Sequence, residues 1–193
     1  MFLCVGPTGS GKTTTLHAVL GTINTVERKI WTAEDPVEIT QAGLQQVQVE
    51  PKIGFDFATA LRAFLRADPD VILIGEMRDR ETSHIGIEAS LTGHLVFSTL
   101  HTNSAPETIV RLLDLGLDPL NFADALLGVL AQRLVRTLCG HCKEEYTPSS
   151  GELDALVRAY GNGDPFQELG VKRSDLQLCR PHEGGCDKCG SSG

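Results

Sequence analysis

A chain of 193 residues, 41% of them hydrophobic, has room for one ordinary domain and a small appendage. Its formal charge of −8 argues against a broad phosphate-neutralising surface, so no nucleic-acid partner is expected. No apolar stretch approaches the ~20 residues that cross a bilayer, and no basic-then-apolar leader opens the chain, so a cytoplasmic location is expected.

Residues 2–5 read as a strand that runs into Gly6-Pro7-Thr8-Gly9-Ser10-Gly11-Lys12-Thr13, which fits the phosphate-binding pattern G-x-x-x-x-G-K-[ST]. Glycines at 6, 9 and 11 let the backbone turn its N–H groups inward around a phosphate, and the helix that follows points its positive end at the same anion. Lys12 is placed to reach the β- and γ-phosphates, and the Thr13 hydroxyl to ligate Mg²⁺. Thr14 completes the nucleotide-binding stretch, and its identity also excludes the dinucleotide-binding spacing from Gly9, which needs a third glycine at that position. Leu16, Val19, Leu20 and Ile23 carry a helix from Thr13 to about Ile23.

Lys29 to Thr32 reads as a second strand, followed by Glu34, Asp35 and Glu38 around a turn-forming Pro36. In an open α/β sheet, ligands bind beyond the carboxyl ends of the strands, so these acids either face the nucleotide or form a solvated turn. Gln45 to Val49 alternates as an exposed strand, and Phe57, Leu61, Phe64 and Leu65 return to helical spacing. Val71 to Ile74 is a continuous apolar run of the kind buried on both faces of a parallel sheet, and Gly75-Glu76 follow directly. An acid there suits holding Mg²⁺ through water or polarising an attacking water. A helix from Glu81 to about Leu91 leads to a strand over Leu95–Leu100, bracketed by His94 and His101, which either sense a γ-phosphate or are ordinary satisfied histidines. Ile109, Leu112 and Leu113, then Phe122, Leu126, Leu127 and Leu130, mark two further helices around Gly116-Leu117-Asp118-Pro119. Alternating strands and helices imply a mostly parallel sheet.

Composition changes at Cys139, which places a domain boundary between 1–138 and 139–193. The second part holds five of the six cysteines and one convincing helix, Glu152 to about Tyr160. Cys139-Gly140-His141-Cys142 and Cys186-Asp187-Lys188-Cys189 are paired C-x-x-C knuckles, separated by 43 residues, with the spacing that grips one tetrahedral Zn²⁺. Cys179, His141 and His182 are spare ligands, and two local disulfides or free thiols are the alternative. Cys4 is expected to pack in its strand as a small core residue.

With these motifs in order, the sequence resembles the secretion-superfamily ATPases that drive type II secretion and type IV pilus assembly. Gly6–Thr13 is similar to that family's nucleotide loop, Thr32–Glu38 to its aspartate box, Ile74–Asp79 to its atypical Walker B and Thr92–Asn103 to its histidine box. The knuckles resemble the metal-binding insertion of the secretion and pilus-extension branches. Ser104 departs from the pattern, where an aspartate is common. The resemblance implies a RecA-like three-layer P-loop core with a small tetracysteine module, working with ATP, Mg²⁺ and Zn²⁺ in a homohexameric ring. It further implies a place at the inner membrane through partners, namely a platform protein and cytoplasmic-ring proteins of the machine. By the same resemblance Glu38 and Glu76 orient or activate water, His94 and His101 relay the nucleotide state, and Glu34 supports the site. The family's N-terminal domains, which supply arginines to the nucleotide, are not in this sequence. It is therefore expected to be the C-terminal motor portion of a longer protein and only weakly active by itself. Arg78 and Arg80 are expected to brace the Glu76 loop or pair with Asp79. A DNA translocase on the same core and a catalytically silent assembly module are the alternative readings.

Overall fold

The computed structural model describes residues 1–161 and 176–193. The chain divides into two compact units, Met1–Leu134 and Val135–Gly193.

The first unit is built on β1 (Phe2–Val5), α1 (Lys12–Ile23), β2 (Ile30–Glu34), β3 (Gln45–Gln48), α2 (Phe57–Leu65), β4 (Val71–Ile74), α3 (Arg80–Leu91), β5 (Leu95–Leu100), α4 (Ala105–Asp114), α5 (Pro119–Ala125) and β6 (Gly128–Ala131). The six strands form one sheet in the order β3-β2-β4-β5-β1-β6, every neighbouring pair parallel. Side chains on a strand alternate between faces, and the central strands are apolar on both. Leu3, Val5, Ile72, Ile74 and Val96 join α2 and α3 residues such as Leu61, Phe64 and Ile87 in one core. Cys4, Val71, Leu73 and Phe97 face the other way, against Leu16 and Leu20 of α1. Helices thus cover both faces. The strand that leads into the phosphate loop, β1, is separated by β5 from β4, the strand followed by Glu76, and this is the strand order of a RecA-like P-loop fold.

The helices start where short polar side chains can cap them. Asp56, Asp79 and Ser104 accept the backbone N–H three residues ahead at the starts of α2, α3 and α4, and Asp118 caps α5 with Pro119 as its first residue.

One element differs from the sequence reading. The apolar spacing of Phe122, Leu126, Leu127 and Leu130 predicts a single helix, yet α5 stops at Ala125 and Gly128–Ala131 pairs with β1. Without β6 the outer edge of β1 would present unpaired N–H and C=O groups. Leu127 N–H donates to the Met1 carbonyl (2.7 Å) and Gln132 N–H to the Val5 carbonyl (2.8 Å), closing that edge at both ends. Gly128 suits the crossing because a Cβ there would meet the Phe2 ring at 3.3 Å. Leu127 and Leu130 are exposed rather than packed as a helical stripe.

The second unit contains an antiparallel pair, β7 (Glu144–Tyr146) and β8 (Leu178–Arg180), and α6 (Ser150–Tyr160). A reciprocal capping box between Ser149 and Glu152 starts α6. Glu144 accepts from Arg180 Nε (3.1 Å) and lies 2.6 Å from His182 Nδ1, contacts that hold its carboxyl below the usual carboxylate range.

Candidate nucleotide site and cysteine quartet

The carboxyl ends of β1, β2, β4 and β5 open onto a cleft of about 590 Å³. Its lining includes Thr8 to Thr14 from the phosphate loop, Glu34 at the end of β2 and Glu38 beyond it, Glu76 and Arg78 after β4, and Thr99 and His101 at the end of β5. Gly6 (φ 146°), Gly9 (76°) and Gly11 (86°) occupy backbone conformations that L side chains rarely adopt, which gives the loop its curl. Lys12 Nζ folds over the loop and donates to the carbonyls of Gly6 (2.9 Å) and Pro7 (3.2 Å). The Ser10 hydroxyl is buried without a hydrogen-bond partner beneath this loop.

Glu34 is 4% exposed and bonded on both oxygens. Oε2 lies 3.0 Å from His17 Nε2, while Oε1 accepts from Thr32 Oγ1 (2.6 Å) and Gln46 Nε2 (3.0 Å). Such a carboxylate is a fixed strut tying α1 to β2 and β3, in keeping with a supporting place beside the cleft. Glu38 is exposed and accepts no hydrogen bond from the described residues, so its carboxylate can turn toward a ligand.

Glu76 is held differently. Arg78 Nε approaches Oε2 at 2.5 Å and His101 Nε2 lies 2.8 Å from Oε1. Arg78 therefore braces Glu76 itself and not Asp79, whose carboxylate caps α3. The same contact raises the Arg78 guanidinium above its ordinary value, first through the hydrogen bond to Glu76 and then through its charge. Thr99 Oγ1 donates to the Gly75 carbonyl (2.6 Å) and Ser98 Oγ to that of Ile74 (2.9 Å), tying the end of β5 to the strand that delivers Glu76.

His94 is not brought to this cleft. It precedes β5 while His101 follows it, so the two stand at opposite edges of the sheet, about 20 Å apart at ~3.3 Å per strand residue. His94 Nδ1 instead lies 2.9 Å from the Ala89 carbonyl and 3.3 Å from Thr92 Oγ1 at the end of α3. Conversely, sequence reasoning singled out neither His17 nor Gln132, and both touch the site. His17 sits one turn past the motif on α1, where helical spacing from Thr13 points to it. No local pattern marks Gln132.

In the second unit, the sulfurs of Cys139, Cys142, Cys186 and Cys189 all lie within 4.8 Å of one another. Cys139–Cys186, Cys142–Cys189 and Cys186–Cys189 are 3.9, 3.8 and 3.8 Å apart. Disulfide sulfurs are bonded at ~2.05 Å, whereas a tetrahedral zinc with Zn–S of ~2.3 Å sets sulfurs about 3.8 Å apart. The donor set therefore fits that ion. Backbone N–H groups point at the sulfurs, as thiolates require. The amides of Cys186 and Gly193 help pull the Cys189 thiol down to about 6, and those of His141 and Cys142 lower Cys139. Desolvation, followed by its sulfur neighbours, pushes Cys142 up to about 12. Cys179 is exposed on β8 outside the quartet, and His182 is engaged with Glu144. Cys4 is fully buried in β1, and burial raises its thiol.

Over its 193 residues the chain is 49% identical to the "Type II secretion system protein E" of Dickeya dadantii, covering 100% of this chain and 36% of that protein. It is 57% identical over 189 residues to the "Type IV pilus assembly ATPase PilB" of Pseudomonas aeruginosa, covering 98% of this chain and 31% of that protein. It thus spans about a third of the length of these curated relatives. The solved structure of the pilus retraction motor PilT with bound ADP matches with a TM-score of 0.65 at 43% identity, covering 72% of this chain and 43% of that one. The model of the family described as "Type II/IV secretion system protein" matches residues 1–193, and the chain belongs to that family.

Proposed function

We propose that this chain is the ATP-hydrolysing portion of a motor for type II protein secretion or type IV pilus assembly. The observation that carries the reading is the convergence of the phosphate loop, Glu34, Glu38, Glu76 and His101 on one cleft at the carboxyl edge of the sheet. The names of the relatives speak for secretion and pilus ATPases and not for a DNA translocase.

Bound ATP with Mg²⁺ would supply the reacting phosphoryl group and part of the charge neutralisation around it. Loop N–H groups of Gly9 to Thr13 orient the phosphates, and Lys12 Nζ exchanges its carbonyl partners for phosphate oxygens. The Thr13 hydroxyl and, through water, the Glu76 carboxylate are the groups that would hold the cation. Glu76, fixed on both oxygens by Arg78 and His101, has its lone pairs aimed before substrate arrives, which lowers the reorganisation cost of orienting water. Glu38 is the second acid within reach. His101 links Glu76 to the end of β5 and so reports the state of the cleft to the sheet. His94 has no part in chemistry at this cleft.

The first unit, which ends at Leu134 where composition placed the boundary at 138, is assigned as the ATPase core, and the second as a zinc module held by Cys139, Cys142, Cys186 and Cys189. Action in a homohexameric ring in the cytoplasm, against platform and cytoplasmic-ring proteins at the inner membrane, belongs to the same proposal. The test is steady-state phosphate release, with and without DNA and paired with light scattering, on this chain and on a longer parent that includes it. Slow, DNA-independent release by a monomeric chain and fast release by a hexameric parent are expected. DNA-stimulated release would favour a translocase, and a silent parent would leave a binding module.

A further inference from the structure

The phosphate loop is gripped by a residue that no motif identifies. Gln132 follows directly on β6, at the edge of the sheet, and its side-chain amide bonds in two directions. Nε2 donates to the Ser10 carbonyl (2.6 Å), in the middle of the loop, and Oε1 accepts from Thr15 Oγ1 (2.8 Å), in the first turn of α1. Its backbone is equally engaged. The N–H donates to the Val5 carbonyl (2.8 Å), and the Gln132 carbonyl fills the space beside Gly6 where a Cβ would come to 2.2 Å. A Cβ on Gly11 would come to 2.8 Å of Gln132 Nε2. Two of the three loop glycines are therefore small because Gln132 packs against them, as well as because of their positive φ.

We propose that Gln132 is a positioning residue for the nucleotide site, an inference that rests on the phosphate loop binding nucleotide as proposed above. A loop of this kind loses much conformational entropy when its glycines are ordered. Among the described residues, Lys12 is the only other side chain that bonds to the loop's carbonyls, at Gly6 and Pro7. Holding the Ser10 carbonyl outward turns the neighbouring N–H groups toward the cleft, and holding Thr15 fixes α1 relative to that turn. The task demands an amide. A carboxylate could only accept and an ammonium only donate, whereas Gln offers one donor to a carbonyl and one acceptor to a hydroxyl.

The test is MgADP affinity by calorimetry, with thermal melting as a control for folding. Gln132→Leu keeps the volume and leaves the Ser10 carbonyl and Thr15 hydroxyl unpaired, so affinity should fall about tenfold, the effect of roughly one hydrogen bond's free energy, while a single cooperative melt shows that the fold is kept. Gln132→Asn, which keeps the amide but is one methylene too short to reach both partners, provides the same reading should the leucine variant fold poorly. Thr15→Val should weaken binding about threefold and add nothing in the Gln132→Leu background, because the two groups act through one contact. Thr15→Ser should restore the parental value. Affinity within about twofold of the parent for Gln132→Leu and Gln132→Asn, or additive losses in the double variant, would overturn the assignment. Lys12→Ala separates the two layers of inference. If it abolishes binding while the Gln132 variants retain it, the positioning role alone fails. If the parent itself does not bind MgADP, the nucleotide reading fails and takes this one with it.

Discussion

His17 Nε2 lies 3.0 Å from Glu34 Oε2, and the two side chains are 2% and 5% exposed. The contact joins the second turn of α1 to the last residue of β2, so the helix that follows the phosphate loop is anchored to the strand that delivers the acidic turn. Glu34→Ala would leave His17 Nε2 and Thr32 Oγ1 without their acceptor in the core, while Gln46 Nε2 keeps the Ile39 carbonyl. Unsatisfied buried donors cost ~1–3 kcal/mol each, so a loss of about 3 kcal/mol is expected, seen as a fall in Tm of roughly 5–10 °C. Glu34→Gln, which keeps one acceptor, should lose about half as much. A Tm for Glu34→Ala within about 2 °C of the parent would show that the carboxylate is not the strut the geometry describes.

Lys12→Ala should remove most nucleotide binding and leave the fold intact. The ammonium touches only loop carbonyls and makes no core contact, so its charge is available for phosphate. Calorimetry with MgADP reads the loss, and far-ultraviolet circular dichroism reads the fold. Unchanged affinity would sink the assignment of the loop.

Glu76→Gln should retain MgATP in a hexameric parent while turnover falls about 100-fold or more, the scale of a lost acid–base group. The amide preserves shape but loses the charge that Arg78 and His101 complement. Arg78→Ala should lower turnover less, because His101 still holds the other oxygen. Normal phosphate release from the Glu76→Gln parent would move water activation to Glu38, whose carboxylate is unengaged among the described residues.

Protein purified without added metal should carry about one equivalent of zinc, the stoichiometry of four thiolates around one ion. Removing it with a chelator should unfold the second unit and leave MgADP affinity within about twofold, because ligation is linked to local folding. Elemental analysis and tryptophan fluorescence follow the two parts separately, since the chain's single tryptophan, Trp31, belongs to the first unit. Freshly reduced protein without metal, or intact disulfides within the quartet, would overturn the assignment.

The sheet and most of the cleft were legible in the sequence because their causes are local. Val71–Ile74 is apolar throughout because both faces of β4 are covered, and glycines at 6, 9 and 11 mark a loop whose backbone takes positive φ at each of them. What stayed hidden depends on partners distant in the chain. β6 exists because β1 has an edge to close, and nothing within Leu126–Leu130 says so. Helical spacing among leucines was the stronger local signal, and it misled. Gln132 finds Ser10 across 122 positions, which no window of sequence detects. The two histidines around β5 look symmetrical when written in a line. A strand has two ends, and only the carboxyl end meets the cleft.

Cys139 and Cys186 are 47 positions apart in sequence, yet their sulfurs meet at 3.9 Å. The intervening chain is thus an excursion that departs from one knuckle and comes home to the other. Each doubling of a flexible loop adds only about 0.6 kcal/mol to the cost of closing it. Here the cost is shared, because β7 and β8 pair just inside the two knuckles and frame the loop that the quartet closes, while every residue that lines the cleft lies in Met1–Leu134. The ion and its four thiolates thus act as a clasp on a frame of two strands, and unfastening that clasp removes no ligand from the cleft.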